Sequence, residues 1–226
     1  GAAVLWFGVT QGRRLAMATG SLLQGAAGAY FLYGLERLAT ALPVINDVCL
    51  GAALLAGAGF ASARLLRRFA AGPAALALLW AVAWWCFGGF QEIRRLTPDD
   101  LAVPLVLVDL ALTLLVLEVH GRARAWPAAR HLGILLLPAL VLAALATFAR
   151  SHHLLAGLMV LALPLALAVH YWLLARQEAD QAALGPILRH IGGFWLIIAL
   201  VSVEAGWLGD RLAPGVRLWP VLALAL

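Results

Sequence analysis

The sequence predicts an all-α fold, a polytopic bundle of transmembrane helices, on three observations. Apolar stretches about as long as a bilayer is thick follow one another with little interruption. Charged residues make up 12% of the chain against 64% hydrophobic ones, and almost every charge falls in a short gap between stretches. A mean hydropathy of +0.95 cannot be reconciled with a water-solvated surface on a chain of this length. In hydrocarbon the backbone has to satisfy its own hydrogen bonds, which for stretches this long means helices.

Taken in order, the apolar runs give a partial span ending near Val9, then seven full spans. These lie at about Leu15 to Leu35, Val44 to Ala63, Pro73 to Phe90, Leu101 to Val119, Leu132 to Ala149, Leu154 to Ala175 and Ile187 to Leu208, with a second partial span from about Val216. Helix-end chemistry supports several boundaries. Thr97-Pro98-Asp99-Asp100 reads as an N-cap hydroxyl, a proline at the first helical position and two acids facing the positive end of the dipole. Gly72-Pro73 and Gly185-Pro186 read as turns before helices. Ser21, Gly25 and Ala29, and Ala53, Gly57 and Ala61, recur at helical spacing, so the first two full spans can offer flat faces for close approach.

The whole chain reads as a single transmembrane region, 1–226. It opens at Gly1 without an initiator Met, is apolar from the start and stops inside the run Val221 to Leu226, which predicts an internal stretch of a longer membrane protein. No signal-peptide pattern is visible. All 16 basic residues are arginines, set against 11 acids for a formal charge of +5. They are scattered through the gaps instead of forming one basic face, so nucleic acid is not expected as a partner. The expected partners are the lipid bilayer and the remaining helices of a parent chain; oligomeric state is not readable.

Alternate gaps share a side. Arg13, Arg14, Arg64, Arg67, Arg68, Arg122, Arg124, Arg130, Arg176 and Arg189 fall on one side, and Arg37, Arg94, Arg95, Arg150, Arg211 and Arg217 on the other. The richer side is expected to be cytoplasmic. The Ala-, Leu- and Arg-rich, lysine-free composition fits a GC-rich bacterial genome, and with it the bacterial inner membrane.

Ionisable and polar groups at membrane depth are the candidates for a site. Asp109 sits at the centre of its span with Thr113 one turn later, and Gln24 occupies the midpoint of Leu15 to Leu35. They are at equal depth and suit either a proton or substrate site or, the preferred reading, a structural interhelical hydrogen bond. Glu118 and His170 both fall toward the arginine-rich side and could pair, with His120 and Arg122 competing for the carboxylate. Glu204 lies nearer the opposite side, within reach of Arg211, Arg150 or His152. His152-His153 is not expected to bind metal, because adjacent residues on a helix diverge and no Cys/His cluster accompanies them. Cys49 and Cys86 are expected to be free thiols. Trp80 and Trp84 share a helical face suited to packing or to a ligand groove, while Trp126, Trp172 and Trp219 suit an interfacial belt.

The chain contains no phosphate-binding Gly-x-x-x-x-Gly-Lys loop, His-Glu-x-x-His helix, Gly-x-Ser-x-Gly elbow or Asp-x-x-Asp cluster. No catalytic residue, cofactor or metal is therefore expected, and the enzyme reading is the weaker one.

Three segments carry a resemblance: Ser21 to Gly28 (SLLQGAAG), Ala83 to Arg95 (AWWCFGGFQEIRR), and Val203-Glu204-Ala205-Gly206-Trp207 followed by Asp210 to Gly215. They resemble the large bacterial predicted membrane proteins grouped as domain-of-unknown-function family 2339. The resemblance implies an integral inner-membrane protein without an established activity. It promotes Gln24, Trp84, Trp85, Glu92, Arg94 and Glu204 as positions of interest and supplies no catalytic residue. The leading expectation is thus a transport, envelope or scaffold role. The alternative is an intramembrane enzyme acting on a lipid-linked substrate, with Glu92, Arg94, Arg95 and Glu204 at the external face as acid/base and anion-binding groups.

Overall fold

The computed structural model describes residues 1–38, 42–178 and 184–212. Among them every regular element is helical, and the chain divides into two compact units, Gly1–Thr97 and Pro98–Leu226. Arg217, Trp219 and the partial span from Val216 lie outside the described residues.

Unit 1 holds α1 (Ala2–Thr10), α2 (Arg14–Gly34), α3 (Asp47–Leu66) and α4 (Ala71–Leu96). α1 folds back on α2 at backbone distance. A Cβ added at Gly20 would come within 2.5 Å of the Leu5 nitrogen, and one at Gly8 within 2.6 Å of the Met17 nitrogen. The α3–α4 pair closes on Ala52, Ala56 and Gly59, where a Cβ at Gly59 would meet Ala81 at 2.9 Å. Trp84 fills the space that remains, with its ring edge-on to Phe31, Trp80 and Phe87 at centroid distances of 5.5 Å. Such edge-to-face clusters add specificity to burial.

The packing faces are therefore displaced from the ones the sequence spacing suggested. On α2 the buried row is Gly20, Gln24 and Gly28, while Ser21, Gly25 and Ala29 point outward and Gly25 has nothing near it. On α3 the buried row is Ala52, Ala56, Gly59 and Ala63, while Gly57 is open. One residue turns a helix face by about 100°, and in an Ala/Gly-rich helix several faces look equally flat.

Unit 2 holds α5 (Asp99–Ala123), α6 (Pro127–His131), α7 (Leu136–Ser151), α8 (Met159–Glu178) and α9 (Leu184–Leu212), with a 3-10 segment, Leu132–Leu135, joining α6 to α7. Its core is built from larger side chains: Leu114, Leu136, Leu140, Met159, Leu173 and Leu174 are all but fully buried, alongside Glu118, Gln177 and His170.

Six helical stretches are long and apolar enough to cross a membrane: Asp47–Leu66, Ala71–Leu96, Asp99–Ala123, Pro127–Ser151, Met159–Glu178 and Ile187–Leu212. Their outer faces stay apolar. Leu54, Leu76, Val116, Leu142, Leu161 and Trp195 are all more than 60% exposed, a surface suited to lipid and not to water. α2 forms where the sequence placed its first full span, but it is not among the six, so seven full spans are not established.

Two helix-end assignments differ from expectation. The Thr97 hydroxyl donates to the Ile93 carbonyl at 2.7 Å and so closes α4 instead of capping α5, which starts at Asp99 without a side-chain cap. The span expected from Leu154 begins its helix at Met159, because Leu154 and Leu155 turn their amides to the carboxylate of Glu204.

Candidate functional site

The most developed polar site lies at one end of unit 2, around Glu118. α5 carries the carboxylate on its buried face, 1% exposed. Arg130, from the short α6 that follows the α5 turn, donates through Nε to Oε1 at 3.0 Å, and Arg122, one turn along α5, donates to the same oxygen at 3.3 Å. The amide of Gln177, near the end of α8, donates to Oε2 at 2.8 Å and to the Arg130 carbonyl at 2.7 Å. Gln177 Oε1 in turn accepts from Arg189 of α9 at 2.5 Å, and Arg189 also reaches the Gly133 carbonyl at 3.5 Å. Arg122 and Arg130 donate to the Arg176 carbonyl at 2.6 and 3.4 Å, which supplies partners to an acceptor of the α8 terminus that has none within the helix. One buried anion thus ties four helices together. A buried carboxylate is tolerated only when its oxygens are this well supplied.

Of the residues singled out from sequence, Glu118 centres this network and His170 lies outside it. His170 is fully buried on α8, neither ring nitrogen has an aligned hydrogen-bond partner, and its ring meets Tyr171 edge-on at 5.4 Å. The donors to Glu118 are Gln177, Arg122 and Arg130, with no contribution from His170 or His120.

Glu92 and Glu204 each hold an interhelical loop. In unit 1, Glu92 of α4 accepts the Val44 amide at 2.7 Å and Arg95 at 2.6 Å on one oxygen, and the Asn46 amide at 2.9 Å on the other. Val44 sits at φ +61°, a left-handed conformation that a β-branched residue adopts only when its surroundings enforce it. Asn46 also caps α3 through the Cys49 nitrogen at 2.9 Å. Beside this junction a cavity of about 270 Å³ is lined by Asn46, Val48, Gln91, Glu92, Arg94 and Arg95. The Arg94 guanidinium lies over the Phe90 ring at 5.5 Å.

In unit 2, Glu204 of α9 accepts the Leu154 and Leu155 amides at 2.5 and 3.2 Å on one oxygen. Its other oxygen lies 2.8 Å from His153 Nδ1, an ion-pair contact without the alignment of a ring N–H bond. His152, ending α7, is left-handed at φ +52°.

Gln24 donates to the Ser62 hydroxyl at 2.5 Å, a buried α2–α3 bond beside a cavity of about 240 Å³ within unit 1. Asp109 is half-buried and makes no hydrogen bond or ion pair among the described residues. Cys49 and Cys86 are not joined in a disulfide, and no group of three or more metal-ligating side chains occurs among the described residues.

Sequence reasoning did not find Gln177, Arg189, Ser62 or Asn46. Asn46 ahead of Asp47 and an apolar run was a readable N-cap signal. The other three are defined by partners 12 to 59 residues away, which no local pattern encodes. Comparison with known protein families, curated proteins and solved structures returns no match to this chain.

Proposed function

We propose that this chain is the membrane-embedded part of a bacterial inner-membrane protein and that it serves there as a structural scaffold of the envelope. The observation that carries this reading is the spent state of the Glu118 network: both carboxylate oxygens and both polar atoms of Gln177 are engaged by groups of the bundle itself. Glu92 and Glu204 accept main-chain amides in the same way, which supports loop-holding roles for them over acid/base chemistry. The resemblance in the segments around Gln24, Trp84 and Glu204 supports placing the chain with the bacterial membrane proteins of domain-of-unknown-function family 2339. On this reading α2 is a seventh span, and the ends that carry Arg13, Arg14, Arg64, Arg67 and Arg68, and Arg122, Arg124, Arg130, Arg176 and Arg189, face the cytoplasm.

A scaffold keeps its interior dry, whereas a carrier exposes it to water in turn from each side. The test is cysteine labelling in membranes, in a Cys49→Ser/Cys86→Ser background. Cysteine at Ala111 or Ala166, both fully buried, is expected to stay unlabelled by maleimide under all conditions, while cysteine at the exposed Arg124 reacts from the cytoplasmic side. Water-phase labelling at Ala111 or Ala166 would overturn the scaffold reading in favour of transport.

A further inference from the structure

At one end of unit 1 the start of α3 and the last turns of α4 border the cavity of about 270 Å³ that is lined by Asn46, Val48, Gln91, Glu92, Arg94 and Arg95. We propose that this cavity binds a phosphate group, carried by an anionic lipid head or free in solution, through the Arg94 guanidinium and the Gln91 side-chain amide. The inference goes beyond the scaffold reading and does not depend on it.

The chemistry follows from what the lining groups still have to offer. Glu92 is spent: one carboxylate oxygen accepts from the Val44 amide and Arg95, the other from Asn46. Asn46 is spent as well, its Nδ2 on Glu92 and the Leu42 carbonyl and its Oδ1 on the Cys49 amide. Arg95 pairs with Glu92 at 2.6 Å and donates to the Leu42 carbonyl at 2.8 Å. Gln91 and Arg94 differ from these. Among the described residues neither side chain makes a hydrogen bond or ion pair, and Arg94 lies over the Phe90 ring at 5.5 Å, a contact that takes up no hydrogen-bond acceptor. Two lining arginines thus face one carboxylate, and that carboxylate is taken by Arg95. The other acids of unit 1, Glu36 and Asp47, do not line the cavity, and residues 39–41, the neighbouring stretch of sequence, are Ala, Thr and Ala and carry no charge. What remains is one cation and one amide, which is a site for an oxyanion.

Shape, size and depth agree on phosphate. The guanidinium fork fits the paired oxygens of a phosphate, and Val48 belongs to the first turn of α3, where the positive end of the helix dipole favours an anion. The volume lies below the ~300–1,000 Å³ of sites that enclose a drug-sized molecule, so it suits an ion or a lipid head and not an acyl chain. Ala71–Leu96 covers 26 residues, about 39 Å of helix, against a hydrocarbon core of about 30 Å. The last turn of α4, with Arg94, therefore reaches the layer in which lipid phosphates lie. A cation would meet Arg94 and find the lining carboxylate already paired.

Two measurements on the full chain separate the sources: equilibrium dialysis in neutral detergent against radiolabelled inorganic phosphate, and native mass spectrometry after release from nanodiscs with equal amounts of phosphatidylglycerol and phosphatidylcholine. One phosphate held per chain supports a soluble ligand, preferential retention of one phosphatidylglycerol supports a lipid head, and both together support the shared chemistry. In whichever assay is positive, Arg94→Gln, at an exposed residue, is expected to lower binding about tenfold, the order of one charged hydrogen bond. Gln91→Glu, which sets a second carboxylate against the anion, is expected to abolish it. Arg14→Gln, at an exposed arginine that does not line the cavity, is expected to leave it unchanged. Absence of binding by the wild-type chain in both assays, equal binding by wild type and Arg94→Gln, or equal losses in Arg94→Gln and Arg14→Gln would overturn the proposal.

Discussion

The two units solve one problem with different materials. Unit 1 brings its helices close together through Gly8, Gly20, Ala52, Ala56 and Gly59 and then wedges Trp84 into the remaining space beside Gly28. Unit 2 keeps its helices apart with leucines and ties them at one end through Glu118 and Gln177. In lipid no hydrophobic force draws helices together, so close packing and buried polar bonds are the two available means. Unit 1 should therefore be intolerant of added volume, and unit 2 of lost polarity.

The largest effect is expected in unit 2. Glu118→Ala removes the carboxylate that Arg130, Arg122 and the Gln177 amide share in a buried site, and removing one partner of a buried ion pair costs about 3–5 kcal/mol. Thermal unfolding of the purified protein in detergent would register this as a much lower midpoint, with loss of the folded peak on gel filtration. A midpoint within a degree or two of wild type would mean that the network does not hold the unit together.

Unit 1 supplies the opposite test. Gly20→Val drives its side chain into the α1 backbone at Leu5, which cannot rotate aside, and overpacking of this kind costs about 1–3 kcal/mol. Gly25→Val, one turn away on the open face, is expected to stay near wild type. Equal losses at the two positions would erase the distinction between a packing face and a lipid face on α2.

These contrasts also mark how much was legible in the sequence. The all-helical class and the approximate limits of the six long apolar helices were readable, because run length against bilayer thickness is a one-dimensional property; the expected count of seven full spans was not established. Glu118 was readable as buried because an acid inside an apolar run has few other options. Its partners were not, since Gln177 lies 59 residues away and is placed by the α5–α8 packing. The packing register was missed for a related reason: rows 20/24/28 and 21/25/29 of α2 carry equally small residues, and only the position of α1 and the tryptophans of α4 decides between them.

Glu204 and Glu92 allow a finer comparison, since both hold a loop beside a left-handed residue but with different support. Glu92 has Arg95 and Asn46 in addition to one amide, while Glu204 serves two amides with His153 at its other oxygen. Glu204→Gln keeps one acceptor oxygen but loses the charge, so about 1–2 kcal/mol is expected, the difference between charged and neutral hydrogen bonds. Proteolysis or hydrogen exchange at Leu154 and Leu155 would detect it as local opening. Protection unchanged at those two amides would show that the loop is held by its own turn and not by the α9 carboxylate.

The smallest effect is expected at the residue that the sequence made most prominent. Asp109 stands at mid-span on α5, where an acid would ordinarily be paired, yet it is half-buried and makes no hydrogen bond or ion pair among the described residues. Nothing in the described part of unit 2 is built on it, in contrast to Glu118 nine residues along the same helix. Asp109→Asn is therefore expected to change stability by no more than about 0.5 kcal/mol, the range of substitutions away from structural features. Proton flux into vesicles reconstituted with the two forms provides the sharper measurement. A scaffold gives equal, background-level rates, whereas a fall in flux on Asp109→Asn would make α5 part of a conducting path and Asp109 the working group.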